Sequence, residues 1–231
     1  MKLKSFGCSF IFGSELQVNL KENNCIGEYY TTDPLSYNTW PSLVADHYQL
    51  ECENYAWPGI GNLRILEQVL TQAALDDPAL FIIGWSWLDR FDFIDPITEN
   101  WNTLRPDGDT EFHKMHYKYF YHQYHTMLTN ASYISTAINV LNSKNIPFCM
   151  TAMDATLFDG IDANWQDPYA LRILQQSIKP YITWFDGMDF LSWSRKNNYP
   201  ISEAWHPLEE AHVAASEYMI KVFDKQNIID R

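Results

Sequence analysis

Residues 79–87 read Ala-Leu-Phe-Ile-Ile-Gly-Trp-Ser-Trp. An apolar run of this length without polar alternation suits a central strand of a parallel sheet, where helices cover both faces. Upstream, residues 61–74 place Leu63, Leu66, Val69, Leu70 and Ala73 on one face at a helical period. Residues 49–56 read as a strand, and 40–48 as a helix that tolerates Pro41 in its first turn. Residues 3–10 read as a first strand ending in a tight turn. Downstream, Phe120, Tyr124, Met127, Ala131, Ile134, Ile138 and Leu141 step by three or four, which predicts one long amphipathic helix. Residues 146–152 form a fourth strand, 168–178 a helix, and 181–186 a fifth strand. A last helix spans about 208–225, with Val213, Met219, Ile220 and Phe223 inward. This alternation predicts an α/β protein: a three-layer α/β/α sandwich around a mostly parallel five-stranded sheet. No repeat or linker divides residues 1–231, so one domain is expected. Polar, irregular insertions at about 15–38 and 88–112 interrupt it. Long loops in a compact domain are often functional, and ligands of open parallel sheets lie at the carboxyl ends of the strands.

The charge balance narrows the partners. Sixteen basic against twenty-nine acidic residues leave a net charge of −13, with no basic patch in the sequence. Such a chain repels phosphate backbones and anionic bilayers, which argues against nucleic-acid and membrane binding. No stretch approaches the roughly 18 apolar residues of a membrane span. The apolar segment after Lys2 and Lys4 is short and broken by Gly and Ser, unlike a secretory signal. Cys8, Cys25, Cys52 and Cys149 are scattered without metal-site or disulfide-scaffold spacing, which reads as free thiols in a reducing compartment. The expectation is a cytoplasmic protein, or one built into a particle assembled inside a cell.

Four short blocks fall at predicted strand ends. Gly7-Cys8-Ser9-Phe10 puts a serine at a strand-to-helix turn. There a hydroxyl reaches the sheet's carboxyl edge and the adjacent amide faces a developing oxyanion. Asn54-Tyr55-Ala56-Trp57-Pro58-Gly59-Ile60-Gly61-Asn62 brings two glycines and an amide side chain after the second strand. Its bland reading is an ordinary turn with a helix cap. Gly84-Trp85-Ser86-Trp87, followed by Arg90 and Asp92, ends the central strand. Glu203-Ala204-Trp205-His206-Pro207 precedes the last helix. A carboxylate beside an imidazole fixes its tautomer and stabilises the imidazolium formed on proton uptake.

In order and spacing these blocks resemble the SGNH hydrolases, or GDSL-type esterases, from residue 3 to about 220. Gly7-Cys8-Ser9 stands at the Gly-Asp-Ser block, Asn54 and Gly59 match the second block, and Glu203 with His206 stands at the final Asp-x-x-His block. The third block departs: Ser86 falls where the family has an oxyanion-binding Asn. The Gly-Cys-Ser-Phe opening marks a variant branch. The resemblance implies a flavodoxin-like fold and a serine hydrolase that cleaves an ester, plausible substrates being O-acyl (acetyl) groups on carbohydrate. It implies Ser9 as nucleophile, His206 as base and Glu203 as its orienter. It implies oxyanion donors on Ser9 and Gly59, with Ser86 or Asn62 supplying the missing amide. No metal or organic cofactor is implied. Two alternatives stay open: a catalytically weak or inactive binding or assembly module, viral examples included, and a sugar O-acyltransferase using the same triad.

Arg90 is a further substrate-binding candidate, because its planar fork suits a carboxylate or sugar hydroxyls; a salt bridge to Asp89 or Asp92 is the structural alternative. Trp85, Trp87 and Trp101 are candidates for a sugar-binding surface, Trp85 being better explained by the core. His113, His116, His122 and His125 lack the further ligands a zinc site needs and read as solvated or stacked side chains. His212 reads as a packing residue. The oligomeric state is not legible.

Overall fold

The computed structural model describes residues 1–16, 38–75, 77–159 and 169–228. Most of the expected 15–38 insertion, Cys25 included, lies outside the described residues. In chain order the elements are β1 (Lys2–Gly7), α1 (Ser9–Phe12), α2 (Trp40–His47), β2 (Glu51–Asn54), α3 (Asn62–Ala73), β3 (Ala79–Trp85), β4 (Phe91–Ile94) and β5 (Trp101–Leu104). There follow α4 (Glu111–Tyr119), α5 (Gln123–Ser143), β6 (Phe148–Ala152), α6 (Tyr169–Ile178), α7 (Phe190–Lys196) and α8 (Glu209–Gln226).

The main sheet is parallel, in the order β2-β1-β3-β6. Every residue of β3 is buried, as its unbroken apolar run requires. The crossover through α2 steps from β1 to β2, and the crossover through α3 steps back past β1 to β3. Right-handed crossovers in opposite directions put their helices on opposite faces. The packing agrees: α2 lies against α8, and α3 against α5. The strand order reverses at β1 and β3, so the carboxyl ends of these strands form the switch point where a crevice opens.

Four expectations are corrected. The fifth strand is a single parallel bridge between Ile182 and Met150. A 3-10 turn at Lys179–Tyr181, containing Pro180, precedes it, and positive φ at Asp186 and Gly187 ends it. The long helix starts three residues later than its periodicity suggests, as α5, because the chain breaks at 120–122, and a separate helix α4 precedes it. Phe120 is thereby 67% exposed, whereas Met127, Ala131, Ile134, Ile138 and Leu141 are buried as the periodicity required. The 88–112 insertion is not irregular throughout: β4 and β5 pair as an antiparallel ribbon. In α8, Met219 and Phe223 face the core but Val213 is exposed. Among the described residues, no helix is long and apolar enough to cross a membrane.

The ribbon is tied to the amino end of α3 through one carboxylate. Asp92 accepts hydrogen bonds from the Gly61 and Arg64 amides (2.8 and 3.0 Å) and from Thr103 Oγ1 (2.6 Å). It therefore caps the amino end of α3 from outside that helix, where the helix dipole favours negative charge. A Cβ on Gly61 would lie 2.7 Å from Asp92 Oδ2, so only glycine admits the cap.

Candidate active site

The site begins with two glycines. Gly7 and Gly84 are register partners on β1 and β3. With no Cβ on either, Ile11 of α1 settles onto the end of the sheet, and α1 starts immediately at Ser9. Asn54 Nδ2 donates to the Ile11 carbonyl at 3.1 Å, tying the turn to the end of β2. The result is a nearly buried Ser9, 6% exposed, at the carboxyl edge of the sheet.

The chain returns to this edge at 202–206. Ile201 and Pro207 form an antiparallel bridge around a tight turn, in which the Ser202 amide donates to the His206 carbonyl at 2.9 Å. The turn presents His206 so that its Nε2 lies 2.8 Å from Ser9 Oγ. Two stretches 197 positions apart thus meet as the motif spacing anticipated.

The residue on the other side of the imidazole is not the expected one. Glu15 Oε2 lies 2.6 Å from His206 Nδ1, while Glu203 is exposed in the turn. Gly13 (φ 86°) ends α1 in the left-handed region, and Glu15 itself has φ 67°. These two reversals fold the segment back toward His206, a path no spacing rule in the sequence announced. Glu15 also accepts from the Ser202 hydroxyl, and Ser202 Oγ in turn accepts from the His206 amide at 3.0 Å. The Ser202 hydrogen bond holds the Glu15 carboxyl below the usual glutamate range, partial burial opposes that, and His206 adds to it. An ionised carboxylate on Nδ1 fixes the tautomer with Nε2 free to accept the Ser9 proton.

The expected oxyanion donors separate into two groups. Gly59, held at φ 80° in the turn after β2, lines the cleft beside Ser9. Asn62 does not reach the cleft. Its Nδ2 donates to the Ser86 carbonyl (3.1 Å) and to Asn130 Oδ1 (2.7 Å), and its Oδ1 accepts from the Ser86 amide (2.7 Å). Both amide hydrogens are used in a buried network that stitches α3, β3 and α5 together. Ser86 is 1% exposed and its hydroxyl accepts from Arg90 Nη1 at 2.9 Å. Arg90 Nη1 also donates to the Ile60 carbonyl at 2.9 Å, and the guanidinium borders the cleft. Arg90 therefore occupies the Ser86 hydroxyl and borders the cleft, which Ser86 itself does not line. Neither anticipated salt bridge to Arg90 is formed: Asp92 is spent on the α3 cap, and Asp89 attracts Arg90 only beyond ion-pair distance.

The cleft has a volume of about 710 Å³. Besides Ser9, Glu15, His206, Gly59 and Arg90 it is bordered by Trp87, Arg105, Asp107, Arg195 and Trp205. Of the tryptophans singled out in the sequence, Trp87 lies here, Trp85 is core at 1% exposure, and Trp101 belongs to β5. His212 is fully buried in α8, where its Nδ1 accepts from the Trp40 amide at 3.0 Å. On the ribbon side, His116 packs on Phe91 at 4.6 Å and His113 pairs with Thr110. Among the described residues, no three His, Cys, Asp or Glu side chains are gathered as a metal site.

No family model matches the chain, and no curated protein matches it by sequence. Solved structures do. A protein of the lipolytic G-D-S-L family from Desulfitobacterium hafniense DCB-2 aligns over 96% of this chain and 98% of its own, at 14% identity and a TM-score of 0.52. TesA aligns over 96% of this chain and 98% of its own, at 11% identity and a TM-score of 0.52. The acetyl xylan esterase Est2A from the rumen bacterium Butyrivibrio proteoclasticus aligns over 98% of this chain but 64% of its own, at 13% identity and a TM-score of 0.51. The fold is that of the SGNH hydrolases. The proteins that share it include lipolytic enzymes and carbohydrate esterases.

Proposed function

We infer that this protein is a serine ester hydrolase whose catalytic groups are Ser9, His206 and Glu15. The observation that carries the reading is one hydrogen-bonded chain: Ser9 Oγ to His206 Nε2 at 2.8 Å, and His206 Nδ1 to Glu15 at 2.6 Å. Nucleophile, base and orienter in this relation are the requirement for activating a hydroxyl near neutral pH.

The reaction proceeds in two balanced halves. Ser9 Oγ bonds to the acyl carbon as its proton passes to His206 Nε2. The tetrahedral oxyanion collapses, the ester C–O bond breaks, and His206 returns the proton to the departing alkoxide. Water then enters, gives its proton to the same nitrogen, and attacks the acyl-serine. Collapse releases the carboxylic acid and restores Ser9. Glu15 remains ionised and stabilises the imidazolium in both halves. The amides of Ser9 and Gly59 face the oxyanion, and the Arg90 guanidinium takes the part of the family's Asn. A charged donor in that place offsets the loss of an amide, which by itself costs about 10²–10³ in turnover.

Substrates are esters with a small acyl group on a carbohydrate. The cleft's aromatic borders, exposed Trp205 and half-buried Trp87, support this by offering flat faces to a sugar ring. A serine-directed phosphonate tests the nucleophile. Wild type is expected to label and Ser9→Ala to stay unlabelled. Equal labelling of the two, or labelling of neither, overturns the assignment. Turnover of a short-chain aryl acetate, lost in Ser9→Ala and His206→Ala, separates an enzyme from a binding module on the same fold.

A further inference from the structure

The chain has six arginines, and three of them border one cleft. That distribution is unusual for a protein with a net charge of −13. Arg90, Arg105 and Arg195 come from three separate segments: the turn after β3, the residue after β5 and helix α7. Their counter-charges are unevenly shared. Asp89, beside Arg90, attracts that guanidinium without forming an ion pair, and the acidic residues lining the cleft are Glu15, occupied by His206 and Ser202, and Asp107. Asp107 lies 3.4 Å from Arg105 Nε, but its side chain is 74% exposed, so the pair is weak and screened. Arg195 has no carboxylate within ion-pair distance among the described residues. Its guanidinium lies over the Trp205 ring instead, 4.2 Å from the centroid.

The backbone holds this last pair in place. Trp205 has φ 71°, a left-handed conformation disfavoured for a bulky residue, one position before His206. The strain sets an indole that is 59% exposed at the rim of the cleft. A guanidinium stacked on an aromatic face keeps its in-plane N–H groups free to meet an oxyanion. Arg105 Nη1 stands beside Gly59, 3.8 Å from where a Cβ there would lie, which is ordinary contact distance. Positive groups thus border the same cleft as Ser9 and His206. In a cleft with low-dielectric walls they raise the local concentration of anions that the rest of the surface repels.

We propose that the ester taken by this cleft is itself an anion: an acylated acidic sugar whose carboxylate or phosphate is held by Arg195 and Arg105 while its ring lies against Trp205. The inference rests on the ester-hydrolase reading and specifies its substrate class. The critical comparison uses O-acetylated galacturonic acid and its methyl ester, which share the scissile bond and differ in charge. O-acetylated glucose 6-phosphate beside O-acetylated glucose forms the phosphate arm. The full-length protein is expected to show kcat/KM about tenfold higher for the charged member of at least one pair, mostly through KM, with the advantage shrinking as salt is added. Arg195→Gln and Arg105→Gln are each expected to bring that ratio toward one. Ratios within twofold for both pairs in wild type, or a ratio indifferent to both substitutions, overturn the proposal.

Binding keeps this test separate from the esterase reading. Calorimetric titration of Ser9→Ala with free galacturonate, its methyl ester and glucose 6-phosphate needs no turnover. If no ester is hydrolysed yet an anion binds in an Arg195-dependent way, the catalytic reading fails and the anion site stands. If neutral aryl acetate is hydrolysed but no anion is preferred or bound, the anion site fails and the esterase stands.

Discussion

Gly7 and Gly84 stand side by side on β1 and β3, and Ile11 fills the space that a Cβ on either would take. The missing atoms would lie 2.6 Å from Ile11 Cγ1 in both cases. The seat of the nucleophile therefore depends on two absent methyl groups. Gly84→Ala is expected to push α1 off the sheet edge and to destabilise the protein by about 1–3 kcal/mol, the usual range for overpacking. It should also slow phosphonate labelling of Ser9. Adding Ile11→Ala removes the clashing atoms and should restore much of the labelling rate. The same addition should not rescue Gly7→Ala, because the new methyl also meets the Gly84 carbonyl oxygen at 2.8 Å, and backbone cannot be trimmed. Chemical denaturation and labelling of the four variants check both statements.

The carboxylate partner of His206 yields the sharpest contrast between two acidic residues. Glu15→Gln keeps the shape and a hydrogen-bond acceptor but removes the charge that stabilises the imidazolium and lets the wrong tautomer form. We expect a fall in kcat of about 10²-fold or more, in line with the loss of a triad carboxylate elsewhere. Glu203→Gln alters an exposed residue in the turn and should leave kcat within about twofold, as surface changes do. Steady-state kinetics on an aryl acetate decide between them, and a large loss confined to Glu203→Gln would reverse the assignment.

These outcomes bear on what a sequence can disclose. The unbroken apolar run of β3 and the periodicity of α3 describe contacts every residue makes locally, so the sheet and its layers could be read from them. Ser9 and His206 could be paired because each sits in a block whose order along the chain mirrors the order of strand ends. Glu15 could not. Its place depends on the left-handed turns at Gly13 and Glu15 itself, and on Ser202, a residue with no counterpart in the blocks. The break before α5 was hidden for a related reason. Phe120 and Tyr124 keep the apolar spacing across 120–122, and spacing alone does not register that the chain has left the helix. The fifth strand failed because Pro180 and the Asp186-Gly187 turn leave room for one bridging residue, although the intervening side chains suit a strand.

Asn62 was read as a donor to the oxyanion, and the structure gives it a different load. It is 1% exposed and joins Ser86 and Asn130 in a closed network. Asn62→Ala leaves the Ser86 amide and carbonyl without their partner in the core, and each unsatisfied buried group costs about 1–3 kcal/mol. The expected phenotype is a lower denaturation midpoint. Under conditions where the variant is still folded, kcat should be close to that of the wild type. A selective catalytic loss with unchanged stability would instead return Asn62 to the oxyanion site.

His212 supplies a pH dependence separate from catalysis. Burial pushes its pKa down to about 3, the charge of His206 adds to the effect, and the Pro207 backbone opposes it. In the unfolded chain the imidazole titrates near its ordinary value of 6.5. Between those limits the unfolded state binds a proton that the folded state refuses, so acidification favours unfolding. The contribution is fully present above pH 6.5 and is lost progressively down to about pH 3. His212→Asn retains an acceptor for the Trp40 amide and removes the titration. The variant should be less stable at neutral pH, since it forfeits the packing of the ring on Phe190. Its melting temperature should nevertheless decline less steeply than that of the wild type as the pH falls through this window. Thermal melts of both proteins in matched buffers measure the two slopes, and parallel slopes would show that His212 does not resist protonation in the fold.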